Sequence, residues 1–224
     1  IQKILKGYRF ELQGAHFGVT RVFTGSGDYE IACYREDVTF GRKPEVKLGA
    51  TMADDARRRD FTINAIYYDI TKDEIIDPVW GLHDLGNSLI KTPGSAETIF
   101  AQDKLRMLRA VRMRAKINGT YHEDVVAAIK ADGQLVGLNA HGEMEAIHQN
   151  RIVEEFIKGI KNSYSVKMYL DDMIEFGFME QVFKHKYSWG HTAESHCVEI
   201  VLARLLTIYS TLEHRELSKF AERL

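Results

Sequence analysis

Two kinds of apolar spacing divide this chain. Through residues 1–90 the apolar positions come as short, β-rich runs mixed with short helical stretches. Phe17 to Phe23 and Tyr29 to Tyr34 are two such runs. Thr24-Gly25-Ser26-Gly27-Asp28 between them predicts a hairpin turn. Ile63 to Ile70 predicts a further strand, and Glu74 to Ile76 one that stops at Asp77-Pro78. Beyond residue 95 the spacing changes to three and four. Leu105 to Ala115, Glu123 to Ala131, Arg151 to Ile160, Val166 to Phe176, Glu194 to Ile208 and Glu213 to Leu224 each predict a helix. Strands followed by helices predict an α+β head on a helical body, joined near Thr92-Pro93-Gly94. The expected units are residues 1–92 as the head, 93–160 as a helical neck and 161–224 as a helical body.

Composition narrows the class. Of 224 residues, 45% are hydrophobic and 28% charged, which predicts a folded chain rather than a disordered one. The net charge of −2 excludes a whole-chain electrostatic grip on nucleic acid, so any such surface must be local. Cys33 and Cys197 are far apart and in no CxxC pattern, which points to a reducing, cytoplasmic setting without a disulfide framework or zinc site. No apolar run reaches the length of about 18 residues that a membrane span needs, and no signal peptide is expected. The chain begins with Ile1, already in a helix-like pattern, so a preceding segment is expected.

Chemistry concentrates in two stretches. In Asp103-Lys104-Leu105-Arg106-Met107-Leu108-Arg109-Ala110-Val111-Arg112, four ionisable groups recur at spacing three on a predicted helix. Asp103 and Arg106 alone would read as an i,i+3 ion pair on a solvated face. With Arg109 and Arg112 they form a slanted polar stripe that intrudes on the face holding Leu105 and Leu108, as a cleft beside the helix would require. A carboxylate accepts from an exocyclic amine and a guanidinium donates to ring nitrogens. One Asp–Arg pair can therefore suit cytosine and adenine, while uracil and guanine would set a carbonyl against the acid. Arg109 and Arg112 suit triphosphate oxygens. The second stretch is Arg58-Arg59-Asp60-Phe61-Thr62-Ile63-Asn64. By itself it is a charged loop entering a strand. Asn64 in an apolar run needs partners, which a ribose hydroxyl shared with Asp60 would supply, with Arg59 on phosphate. On the run from Tyr29, alternation sets Glu30 on a face with Ala32 and Tyr34, either facing solvent or joining other carboxylates around Mg²⁺. His185, His191 and His196 surround Trp189 loosely, in no i,i+4 pair, and read as ordinary surface or interface histidines.

Together these residues resemble the class II tRNA nucleotidyltransferase (CCA-adding enzyme) and bacterial poly(A) polymerase family. Arg58 to Asn64 match its RRDxxxN motif. Asp77-Pro78-Val79-Trp80-Gly81-Leu82-His83-Asp84-Leu85 resembles its hinge motif, Asp103 to Arg106 its EDxxR motif, and Asn150-Arg151-Ile152-Val153-Glu154-Glu155 its ERxxxE motif. Gln102 and Asn150 depart from the acids usual there. The family's Gly-Gly-x-x-Arg-Asp turn and Asp-x-Asp strand do not occur, although Ile1 to Leu5 resembles the helix that follows that strand.

The resemblance implies a nucleotidyltransferase head, and Arg59, Asp60, Asn64, Asp103, Arg106, Arg109 and Arg112 as nucleotide ligands. It also implies Arg58, Asp77, Gly81, Arg151 and Glu155 as structural supports. Glu30 becomes the catalytic and metal-binding carboxylate, its two partners lying outside this chain. The implied reaction is transfer from CTP and ATP to the 3′ end of tRNA, with two Mg²⁺ ions and release of pyrophosphate. RNA would be gripped through its backbone by the body, and the protein would be a monomer or homodimer. A poly(A) polymerase, towards which Ile66-Tyr67-Tyr68 leans, remains open. So do an enzyme adding only CC or only A, and a non-catalytic RNA- or nucleotide-binding module.

Overall fold

A computed structural model describes residues 5–13, 18–39, 44–133, 136–138, 144–147 and 149–184. Strands β1 (Arg9–Gln13), β2 (Val19–Thr24) and β3 (Gly27–Ala32) form an antiparallel sheet in that order. Thr24 pairs with Gly27, so Gly25 and Ser26 make the two-residue turn expected of this glycine-rich segment. A short antiparallel pair follows, β4 (Arg35–Asp37) with β5 (Val46–Leu48). Helix α1 (Met52–Arg57) starts at a capping box: the Thr51 hydroxyl accepts from the Asp54 N–H, and the Asp54 carboxylate accepts from the Thr51 N–H.

The expected strand from Ile63 to Ile70 is not one element. Thr62–Asn64 is a 3₁₀ turn, and only Tyr67–Asp69 is strand, β6, paired with β7 (Glu74–Ile76). Local polar bonds account for the difference. The Thr62 N–H and hydroxyl reach the Lys91 carbonyl and Asp84, and the Asn64 side chain donates back to Asp60, so neither joins a ladder.

Helix α2 (Gly81–Gly86) leads to β8 (Leu89–Ile90), which pairs in parallel with β9 (Thr120–Tyr121) across α3 (Ala96–Gln102) and α4 (Leu105–Ile117). Then come α5 (Glu123–Ala131), the hairpin β10 (Val136–Leu138) and β11 (Met144–Ala146), and α6 (Gln149–Asn162), α7 (Val166–Glu175) and α8 (Phe178–Lys184). Four predicted helices thus fall at α4, α5, α6 and α7, within two residues at each end. The predicted helices at Glu194 to Ile208 and Glu213 to Leu224, with Cys197 and His185, His191 and His196, lie outside the described residues. Among the described residues no helix is long and apolar enough to cross a membrane.

The core lies on α4. Met107, Leu108, Ala110 and Val111 are fully buried, against Ile152 and Phe156 of α6 and Tyr169 and Met173 of α7. Each large apolar side chain so buried stabilises the fold by about 1.5–3 kcal/mol. Gly159 of α6 lets the Tyr169 ring approach: an added Cβ there would sit 2.1 Å from the ring.

Gly81 is held as tightly at the start of α2. The Asp77 carboxylate accepts the Gly81 and Leu82 N–H groups at 2.7 and 2.8 Å. A Cβ on Gly81 would lie 2.2 Å from the Thr62 carbonyl oxygen. Gly81→Ala must therefore move the backbone that carries the 3₁₀ turn, and a loss of about 1–3 kcal/mol is expected in thermal or urea unfolding. An unchanged melting temperature would contradict this packing.

Candidate functional site

The end of α1 organises the first half of the site. Asp55 is buried and accepts from four donors: the Arg58 and Arg59 guanidiniums, the Tyr67 hydroxyl at 2.8 Å and the Arg35 N–H. Arg59 also donates to the Asn64 carbonyl at 2.8 Å and lies over the Tyr67 ring, its carbon 4.9 Å from the centroid. Burial and the bond to Asp55 push the Tyr67 hydroxyl up to about 12, so it stays a donor. Burial by itself would raise the Asp55 carboxyl, but its arginine and tyrosine donors outweigh that and hold it low.

Asp60 is buried and joins the halves. It accepts from the Arg109 Nε at 2.7 Å, the Asn64 amide at 3.0 Å and the Phe61 N–H at 2.9 Å. Burial opposes its charge, yet Arg109 and Asn64 prevail and its carboxyl is lowered. On α4, Arg112 Nε donates to the buried Glu155 at 2.7 Å, and Arg109 comes within 3.8 Å of the same carboxylate. Arg106 donates to the Ile99 carbonyl, the Gln102 side-chain oxygen and the Arg58 carbonyl at 2.8–3.1 Å. Desolvation lowers its pKa, with Asp60 and Asp103 acting the other way.

The polar stripe on α4 is thus real, but Asp103 is not on the helix. It is extended, φ −151° and ψ 102°, between α3 and α4. Its carboxylate accepts the Leu105 N–H and the Arg151 guanidinium, each at 3.1 Å, and takes no bond from Arg106. An acid that bonds the first free N–H of a following helix favours the position outside it, for the same reason that aspartate caps helices.

A cavity of about 840 Å³ gathers these groups. Every expected nucleotide ligand lines it: Arg59, Asp60, Asn64, Asp103, Arg106, Arg109 and Arg112. Arg58, Arg151 and Glu155 line it too, whereas Asp77 and Gly81 do not. Its size suits a nucleotide-sized ligand. Sequence reasoning missed Lys116 and Lys158, which add two cations to the wall. Lys116 follows Arg109 by seven positions, two helical turns on one face, a signal that could have found it. It also missed Asp55, whose spacing of three and four before Arg58 and Arg59 marks a helix-borne partner.

Glu30 stands apart. It is exposed on β3, opposite Arg21 of β2, and does not line the cavity. Among the described residues no group of three or more histidines, cysteines or carboxylates is placed to hold a metal ion. These residues therefore do not fit a Mg²⁺ pair, and Glu30 offers a single ligand.

The Poly A polymerase head domain family matches residues 1–91. The CCA-adding enzyme of Lactobacillus helveticus is 30% identical over 218 residues, which is 92% of this chain and 52% of that protein. The CCA-adding enzyme of Oceanobacillus iheyensis is 42% identical over 119 residues, 52% of this chain and 30% of that protein. The crystal structure of the Bacillus stearothermophilus CCA-adding enzyme in complex with CTP superposes with a TM-score of 0.63 at 29% identity, covering 75% of this chain and 38% of that one. The chain belongs to the tRNA nucleotidyltransferase and poly(A) polymerase family.

Its fold is mixed α+β and matches that of CCA-adding enzyme structures. The chain spans about half the length of the Lactobacillus relative and less than a third of the Oceanobacillus one.

Proposed function

We propose that the protein is a template-independent RNA nucleotidyltransferase that adds C and A, from CTP and ATP, to the 3′ end of tRNA in the cytoplasm. One observation carries this reading: Asp103 and Arg106 line the same cavity as Arg59, Asp60 and Asn64. Three of the five N–H donors of Arg106 are taken by Ile99, Gln102 and Arg58, which fixes the guanidinium and leaves two for a base. Those two suit the ring nitrogen and carbonyl of cytosine, or the ring nitrogen of adenine. Asp103 retains acceptor capacity for the exocyclic amine. A fixed acid–guanidinium pair can thus take the part of a complementary base. The complex of the related Bacillus stearothermophilus CCA-adding enzyme with CTP supports a nucleotide substrate of this kind.

In the proposed reaction the tRNA 3′-hydroxyl oxygen bonds to the α-phosphorus and its proton passes to solvent water. The α–β phosphoanhydride bond breaks and pyrophosphate leaves. This chain's residues bind and orient: Arg59 on phosphate, Asn64 with Asp60 at the ribose, Asp103 and Arg106 on the base. Arg109 and Arg112 hold Asp60 and Glu155, and add positive potential beside the triphosphate. The family reading adds two Mg²⁺ ions, to which the described residues would contribute at most one ligand, Glu30.

The test is incubation of the protein with a tRNA lacking its CCA end, CTP and ATP, followed by sequencing of the product. CCA addition supports the proposal, and a run of A alone would replace it with the poly(A) reading. That second reading is favoured by the match to the Poly A polymerase head domain and by Ile66-Tyr67-Tyr68. Tyr67, however, is already accounted for by Asp55 and Arg59. Arg59→Ala is expected to weaken CTP and ATP alike, by about 10-fold in KM, because phosphate contacts do not distinguish bases. An effect on one nucleotide alone would move Arg59 to the base.

A further inference from the structure

A second cavity, of about 710 Å³, lies on another side of the same segment. Arg57 and Thr62 line it, and it shares no residue with the nucleotide cavity. Trp80 stands at its rim, 76% exposed, with φ 65° and ψ 28°. Left-handed backbone suits glycine or asparagine, and a tryptophan there is strained. The backbone cannot relax cheaply, because Asp77 holds the next two N–H groups and Gly81 is packed on the Thr62 carbonyl. A large aromatic ring is therefore held in solvent at an energetic cost, and among the described residues it has no hydrogen-bond or ring partner.

The charges beside it are cationic. Lys91 has no side-chain hydrogen bond or ion pair among the described residues. Arg57 is 66% exposed, with one contact to Asp54. His83 and His122 add imidazole rings to the lining. The acid of this wall, Asp84, is 3% exposed and is taken up by the Thr62 hydroxyl and His83, so it presents little charge outward.

We propose that this surface binds single-stranded RNA, with an unpaired base stacked on Trp80 and backbone phosphates on Lys91 and Arg57. An aromatic platform beside cations is the chemistry by which proteins hold unpaired nucleotides without reading sequence. The surface goes beyond the nucleotide-transfer reading, and its test needs no nucleoside triphosphate.

The chain has two tryptophans, so Trp189→Phe leaves Trp80 as sole reporter. Titration of that protein with a single-stranded RNA of about 12 nucleotides should quench the indole emission. Trp80→Gly should weaken RNA binding about 10-fold, and Trp80→Phe should retain most of it. Trp80→Gly should also raise the melting temperature, since glycine relieves the left-handed strain; lost binding then cannot be ascribed to lost folding. Lys91→Ala should reduce the slope of log affinity against log salt by about 0.7, one phosphate contact to a single strand. No quenching, or equal RNA affinity in Trp80→Gly, would overturn the proposal. Loss of tRNA extension with quenching intact would sink the nucleotide-transfer reading and leave this one standing.

Discussion

Asp103→Ala is expected to make the site accept UTP and GTP nearly as well as CTP and ATP. In the proposed reading the carboxylate is the acceptor for an exocyclic amine, and against a carbonyl it would be an acceptor facing an acceptor. A mismatch of that kind costs about 1–3 kcal/mol, so selectivity should fall by about 10- to 100-fold. The substitution also removes the bond to the Leu105 N–H, a loss of about 1 kcal/mol of stability that does not depend on the base. Asp103→Asn separates the two effects. Its carbonyl oxygen can still receive the Leu105 N–H and its amide can donate, so it should gain affinity for UTP. Equilibrium binding of the four nucleotides decides the matter, and needs no turnover. If the ratio of CTP to UTP affinity is the same in wild type and Asp103→Ala, the acid does not read the base.

Arg109→Ala should be the most damaging change to the architecture of the site. It strips the counter-charge from Asp60, whose side chain is 9% exposed. Breaking a fully buried pair costs about 3–5 kcal/mol, and because a third of Arg109 is exposed, about 2 kcal/mol is expected. For a chain of this size that is a fall of about 5 °C in melting temperature. The pH dependence has a fixed sign. The folded Asp60 carboxyl is lowered, so its contribution is complete above the unfolded value of about 3.9 and is lost as the pH falls through the lower folded one. The gap between wild type and Arg109→Ala should therefore narrow in acid. Adding Asp60→Asn to Arg109→Ala removes the orphaned charge and should restore part of the loss. Urea unfolding at neutral and acidic pH measures both effects; equal stabilities at neutral pH would mean that the pair is not formed.

Local patterns were legible because their causes are local. The spacing of Leu105, Leu108 and Val111 sets one face of a helix against the core wherever that helix lies. Gly27, at φ 144°, makes the turn between β2 and β3 a matter of backbone permissiveness. The motif residues from Arg58 to Asn64 and from Asp103 to Arg112 could be singled out because polar groups recur where apolar ones should be. The strand expected over Ile63 to Ile70 failed because β-rich composition says nothing of the competing bonds that Thr62 and Asn64 find, one of them at Lys91.

Partner choice belonged to the tertiary structure. Arg109 meets Asp60 from 49 positions away and Arg112 meets Glu155 from 43, distances over which no periodicity carries information. On one strand of text the arginines read as free cations awaiting phosphate; in the fold they are largely spoken for by carboxylates. Asp103 leaves the helix that its spacing implied, since a carboxylate beside an unpaired N–H is better placed outside the first turn than within it. Residue types could announce that charge would be concentrated around a cleft. Only the packing of α4 against α6, with the Arg58–Asn64 segment laid across it, settled which charges neutralise one another and which face the open cavity.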